Sequence, residues 1–71
     1  MRIVTVQTMV EELRAHFQRA GFVTERDGEV GFFVSVRDGR TLQETMREVA
    51  LMLHLWRAMH PGIPADAMED D

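Results

Sequence analysis

The 71-residue chain contains no cysteine, which excludes disulfide bonds and every thiolate metal site. A chain of this length forms one domain and buries only about 60% of the surface that its unfolded form exposes. A core of that size rarely contributes more than roughly 3–5 kcal/mol of stability without further help. Because disulfides and thiolate metals are excluded, oligomerisation is the expected source of that help.

Lysine is absent as well, so the eight basic residues are all arginine, and twelve acidic residues give a net charge of −4. Proteins that bind a phosphate backbone usually carry an excess of positive charge. The composition therefore disfavours nucleic-acid binding. A cluster of arginines at one end of the molecule would still permit it, and the candidates for that cluster are Arg2, Arg37, Arg40, Arg47 and Arg57.

Long apolar runs are missing too, since none approaches the roughly 20 residues that span a bilayer. The first ten residues alternate like a strand and lack the continuous apolar segment of an export signal. We therefore expect no membrane partner and a cytoplasmic location, which agrees with the lack of cysteine.

Motifs that hold metals, nucleotides or catalytic groups do not occur. His54 and His60 are six residues apart, which places them on different faces of a helix, and His16 lies far from both in sequence. The chain has no HExxH, GxGxxG or GxxxxGK[ST] pattern. General acid–base catalysis needs a carboxylate or histidine in a dry pocket, whereas the acids here fall at turns, helix ends and exposed faces. We therefore expect no catalytic residue, no cofactor and no metal ion.

The chain begins with a β-branched stretch, residues 2–6, that predicts a short strand. Thr8 and Glu11 follow with the spacing of a capping box, and apolar residues at helical spacing predict a helix over about 9–20. Gly21 suits the left-handed position at which such a helix ends. Both ends of the first helix are thus predicted from local sequence.

Residues 22–36 predict a β-hairpin, because Asp27 and Gly28 supply the positive-φ positions of a type I′ turn. That turn fixes the register and sets Phe22 opposite Phe33. The Phe22–Phe33 pair then lies on a sheet face without cover. The residues expected on the other face, in the core, are Val23, Val30, Phe32, Val34 and Val36.

A second capping box, Thr41 with Glu44, predicts the start of a long second helix that ends near His60. The order βαββα is similar to the first five elements of a ferredoxin-like βαββαβ unit that lacks its last strand. It predicts a two-layer α+β domain with a three-stranded antiparallel sheet and two helices on one face. We assign this domain to residues 1–60 and a disordered acidic tail to residues 61–71; alternatively, residues 1–6 form a flexible arm.

The second helix is unusually apolar over residues 49–59, where nine of eleven residues are apolar. A helix on a small sheet needs an apolar stripe of only about 100°. The predicted inner stripe is Leu42, Met46, Val49, Leu53, Trp56 and His60. Beside it lies a second apolar stripe of Met52, Leu55 and Met59, flanked by Leu51. Either the first helix covers this surplus, or another protein chain does.

Three exposures favour association: the second stripe, the Phe22–Phe33 pair and the open edge of the first strand. The sequence therefore predicts a non-catalytic interaction module, of the accessory, adaptor or inhibitor type, that forms a homodimer and binds a protein partner. The predicted interface residues are Leu51, Met52, Leu55, Trp56, Met59, Phe22 and Phe33. Two alternatives stay open: a regulatory domain that senses a small ligand at the dimer seam, and a nucleic-acid-binding protein that uses clustered arginines.

Overall fold

The computed structural model describes residues 1–60 and a two-residue strand near the C-terminus. Its elements in chain order are β1 (Arg2–Val4), α1 (Val10–Arg19), β2 (Thr24–Asp27), β3 (Gly31–Val34), α2 (Leu42–Met59) and β4 (Met68–Glu69). These strands form a sheet in the order β2-β3-β1-β4, and each neighbouring pair is antiparallel. The predicted α+β fold is confirmed, and the strand order is that of a ferredoxin-like unit.

The outer edge of β1 is paired rather than open. Arg2 pairs with Glu69 and Ile3 pairs with Met68, so β4 supplies a short last strand that the sequence did not predict. The alternative in which residues 1–6 form a flexible arm is wrong, because β1 also pairs with β3. The rest of the predicted tail, residues 61–67 and 70–71, lies outside the described residues.

Both helices pack on the same face of the sheet, where Ile3, Phe32 and Val34 point into a shared core. α1 contributes three buried apolar residues to this core, and α2 contributes three as well. The buried core comprises Ile3, Val10, Leu13, Phe17, Phe22, Phe32, Val34, Val49, Leu53 and Trp56.

The two ends of α1 differ in how well the local sequence predicts them. The capping box expected at Thr8 is wrong, because the N-cap is Met9 and no side chain caps the helix. The Glu11 carboxylate pairs with the Arg26 guanidinium of β2, and this ion pair takes the place of the expected cap. The C-terminal end is as predicted, since Gly21 adopts a left-handed φ of 91° directly after the helix.

The hairpin register differs from the predicted one by three residues. β2 and β3 are joined by a three-residue loop, residues 28–30, and Asp27 therefore pairs with Gly31. The predicted type I′ turn needs a positive φ at both Asp27 and Gly28, whereas of these two only Gly28 has one, at 67°. Phe22 lies outside the strand, because its backbone N–H donates to the Phe17 carbonyl oxygen (3.1 Å) and so closes the end of α1.

The new register changes which hairpin residues are buried. Phe32 and Val34 lie in the core as predicted, whereas Val23, Val30 and Val36 are exposed. Gly31 lies between two strands at a place without room for a side chain, because an added Cβ would stand 2.9 Å from the Ile3 carbonyl oxygen. Glycine at this position thus allows β1 and β3 to approach closely.

α2 begins with the predicted capping box. The Thr41 hydroxyl oxygen accepts from the Glu44 N–H (3.1 Å), and the Glu44 carboxylate accepts from the Thr41 N–H (3.3 Å). The predicted inner stripe is wrong in the first turn, where Leu42 is exposed and Thr45 is buried. A helix of 18 residues is about 27 Å long, whereas a four-residue strand spans about 13 Å, so the sheet cannot cover the whole of α2.

Candidate functional site

An exposed apolar surface runs along the second half of α2. Leu51, Leu55 and Met59 are 59%, 51% and 71% exposed, and their four-residue spacing places them on one side of the helix. Ala58 is exposed beside them. We call Leu51, Leu55 and Met59 the outer stripe. Large apolar side chains in one contiguous row are typical of a surface that contacts another molecule.

The other predicted interface residues, unlike those of the outer stripe, are buried or half-buried within the monomer. Trp56 and Phe22 are only 4% and 5% exposed, so both belong to the core of the monomer. Met52 is half-buried and packs against that core. Phe33 is half-buried and lies opposite Arg2 and Glu25 in the sheet.

The predicted Phe22–Phe33 pair does not form. Phe22 packs edge-on against Phe17 with a centroid distance of 5.5 Å, and the Arg37 guanidinium lies 4.6 Å from its ring centre on another side. Phe22 is thus buried in the same core as Phe32 and Val34. The exposed predicted residues that remain are therefore those of the outer stripe.

α1 covers only one side of the apolar surplus on α2. The His16 ring lies 5.4 Å from the Trp56 ring. This contact accounts for the apolar character of Trp56, while Met52 packs against the core. These contacts leave the outer stripe uncovered, because Leu51 and Leu55 point away from both α1 and the sheet.

A groove of about 530 Å³ lies between α1 and the C-terminal half of α2. Trp56 and His60 stack within it at a centroid distance of 3.8 Å and an interplanar angle of 16°. Met59 belongs to both the groove and the outer stripe, so the two surfaces are continuous. The groove is lined by Glu11, Glu12, Ala15, His16, Arg19, Trp56, Met59 and His60.

The pKa of His16, which lies between the helices, is lowered from its ordinary value. Burial lowers its pKa, and the charges of Arg19 and His60 lower it further, while the hydrogen bond to the Met52 backbone acts in the opposite direction. Its Nε2 atom and the Nε1 atom of Trp56 are buried and have no hydrogen-bond partner among the described residues. This cluster therefore joins the helices mainly through aromatic packing.

Three of the five arginines predicted to cluster form ion pairs with carboxylates. Arg37 and Arg40 both approach Glu48 on α2, at 3.0 and 3.7 Å, while Arg2 pairs with Asp27 across the sheet at 2.8 Å. Arg37 and Arg40 thus meet at a shared carboxylate. The nucleic-acid alternative stays a prediction.

Sequence reasoning did not identify the α1 wall of the groove. Glu11, Ala15 and Arg19 follow each other at four-residue spacing and form a row on the outer side of α1. The sequence shows only a small residue between two charged ones in this row, which does not by itself predict a groove. The structure shows that the row lies beside Met59 and forms a wall of the groove.

The described residues were also compared with the requirements of a metal site and of a membrane-spanning helix. Within residues 1–60 no group of three or more His, Asp or Glu side chains is arranged to hold a metal ion. Neither described helix combines the length and the apolar character needed to cross a membrane. No protein-family model, curated protein or solved structure matches the chain.

Proposed function

We propose that the protein is a non-catalytic interaction module that works as a homodimer, in which the second copy covers the outer stripe of α2. The observation that carries this proposal is the row of Leu51, Leu55 and Met59, each more than half exposed. The small core of a chain this short makes additional burial through self-association favourable. Symmetric two-fold dimers are the commonest way in which such a surface is covered.

A comparison of the free energy gained by burial with the free-energy cost of association indicates that the dimer contact extends beyond the outer stripe. Full burial of a Leu or Met side chain contributes roughly 1.5–3 kcal/mol. Two copies bring six of these side chains, which would contribute at most about 9–18 kcal/mol and only roughly half of that here, because each is already partly buried, while association costs an estimated 4–15 kcal/mol of lost freedom. The groove beside Met59 offers the additional surface.

The role that we propose for this dimer is that of an accessory, adaptor or inhibitor protein that binds a further protein partner in the cytoplasm. Self-association through the helices leaves the opposite sheet face, with Phe33 and Arg2, for that partner. We assign no catalytic role to any residue, because the groove holds no nucleophile paired with a base.

The test is the mass in solution of the wild type and of Leu55→Glu, measured by light scattering. Leu55→Glu places a charge in the middle of the outer stripe and should convert a dimer into a folded monomer. Val23→Glu is the matched control, because Val23 is 70% exposed on the hairpin, away from α2, and its change should leave the dimer intact. A wild type that is monomeric, or a Leu55→Glu variant that stays dimeric, would refute the proposal.

A second candidate function rests on the groove itself. Its apolar and aromatic lining would suit a small organic ligand, as expected of a ligand-sensing regulatory domain. Trp56 is the single tryptophan of the chain, so its fluorescence reports directly on the groove. Titration with panels of small amines, carboxylates and nucleotides should change that emission and raise the Tm if this function holds; no response from any panel would argue against it.

A further inference from the structure

We propose that the groove between α1 and α2 binds a small zwitterion, with a positively charged amine at one end, a carboxylate at the other end and an apolar body between them. This inference rests on the second candidate function, a ligand site in the groove, and adds the chemical class of the ligand. Because Met59 belongs both to the groove and to the outer stripe, such a ligand would lie at the seam of the proposed dimer.

Two side chains of opposite charge line the groove without an ion-pair partner. They are Glu12 and Arg19, which are both exposed. Among the described residues neither of them forms an ion pair. Glu11 differs in this respect, because its carboxylate pairs with Arg14 and Arg26. Glu12 and Arg19 therefore remain available to the charged groups of a ligand.

The geometry of α1 places these two charges on one side of the helix and two turns apart. At 100° per residue, seven residues bring Arg19 within about 20° of the direction of Glu12. The rise of 1.5 Å per residue separates their Cα atoms by about 10 Å along the axis. A ligand that reaches both side chains must therefore carry its own two charges several ångströms apart.

Between the two charges the groove is apolar and aromatic. Ala15 and His16 line it from α1, while Trp56 and Met59 line it from α2. The Trp56 ring is stacked on the His60 ring at 3.8 Å, which makes this part of the lining flat and rigid. Such a surface suits the methylene groups or ring carbons of a ligand, while the charged ends fix its orientation.

Two buried nitrogen atoms of groove-lining rings provide a second, independent observation. Nε2 of His16 and Nε1 of Trp56 have no hydrogen-bond partner among the described residues, and Trp56 is only 4% exposed. The described part of the chain has one other such atom, the Thr5 hydroxyl oxygen. A buried polar atom without a partner costs free energy, so such atoms are few in folded proteins. Their occurrence in two neighbouring rings of one groove favours a ligand at this place.

The test uses 6-aminohexanoate as the zwitterionic probe, because its charged ends stand roughly 7 Å apart when it is extended. Hexylamine and hexanoate each carry one of its two charges, and glycine carries both charges too close together to reach Glu12 and Arg19. Each probe is titrated into the full-length protein at constant ionic strength, since salt screens exposed charges. The emission of Trp56, the single tryptophan, gives the Kd, and the Tm is an independent readout.

We expect 6-aminohexanoate to bind at least about 5-fold more tightly than any of the other three probes. Glu12→Gln should raise its Kd by roughly 5- to 30-fold and leave the Kd of hexanoate unchanged. Arg19→Gln should weaken 6-aminohexanoate to the same degree and leave the Kd of hexylamine unchanged. Glu25→Gln, an exposed change of equal charge on β2, is the control and should alter none of these values.

Two results would overturn the zwitterion and leave the groove as a ligand site. One is that hexylamine, hexanoate or glycine binds as tightly as 6-aminohexanoate, and the other is that Glu12→Gln and Arg19→Gln bind 6-aminohexanoate as the wild type does. If none of the four probes responds, the zwitterion is overturned as well. The panels of amines, carboxylates and nucleotides then decide separately whether the groove binds any ligand.

Discussion

The two helices of this protein lie side by side on one sheet, and they differ in what they present to the outside. The outer side of α1 carries Glu11, Ala15 and Arg19, which is the pattern of a solvated helix. The outer side of α2 carries Leu51, Leu55 and Met59 instead. Because the fold gives both helices the same kind of support, the difference resides in the sequence, and it supports our proposal that a second copy covers α2.

The largest expected effect concerns the inner sides of the helices, which should behave alike. Leu13→Ala in α1 and Leu53→Ala in α2 each remove a buried side chain and should lower the free energy of unfolding by about 2–5 kcal/mol. Leu55→Ala, on the outer stripe, should change the stability of the monomer by less than about 0.5 kcal/mol. Urea denaturation at low protein concentration checks this; equal losses for Leu53→Ala and Leu55→Ala would mean that the outer stripe is already covered within one chain.

The starts of the two helices offer the next comparison. Thr41→Ala removes a cap that is formed and should lower the free energy of unfolding by about 0.5–2 kcal/mol. Thr8→Ala, the same substitution at the same spacing from a glutamate, should have almost no effect, because α1 has no side-chain cap. Urea denaturation of both variants measures the difference. Similar losses for the two would show that Thr8 caps α1 in solution.

The smallest expected effect is a pH dependence at the contact between the helices. Burial, Arg19 and His60 lower the pKa of His16 in the folded protein, so the unfolded chain binds a proton more readily. Stability should therefore fall as the pH decreases through the ordinary histidine value of about 6.5. His16→Gln should remove this part of the decrease. Thermal unfolding of the wild type and of this variant between pH 7.5 and 5.5 measures it, and an equal loss of stability in both would refute the assignment.

Features set by neighbouring residues could be predicted from the sequence. The capping box of Thr41 and Glu44 and the left-handed Gly21 were correct because each depends on a few adjacent backbone groups. The identical spacing at Thr8 and Glu11 failed because a tertiary ion pair with Arg26 engages the carboxylate. Local patterns thus predict an element well until a distant charge competes for the same side chain.

Features set by packing could not be predicted. The sequence did not show that the backbone of Phe22 closes α1 and that its ring enters the core. Nor did it show that Asp27 lacks the positive φ on which the predicted turn and register depend. The sequence indicated that α2 has more apolar surface than the sheet can cover. It did not reveal that α1 covers Trp56 and leaves Leu55 exposed. β4 was missed because its two residues carry no strand pattern of their own and form a strand only beside β1.

The most direct test of the central claim is the mass of the unmodified protein across a wide range of concentrations, measured by sedimentation equilibrium. We expect the mass to rise from 8.2 kDa for the monomer to twice that value as the concentration increases. The mass should then stay at the dimer, because a two-fold contact closes on itself. A mass that remains at 8.2 kDa at every concentration would contradict the assignment of the outer stripe as a dimer interface.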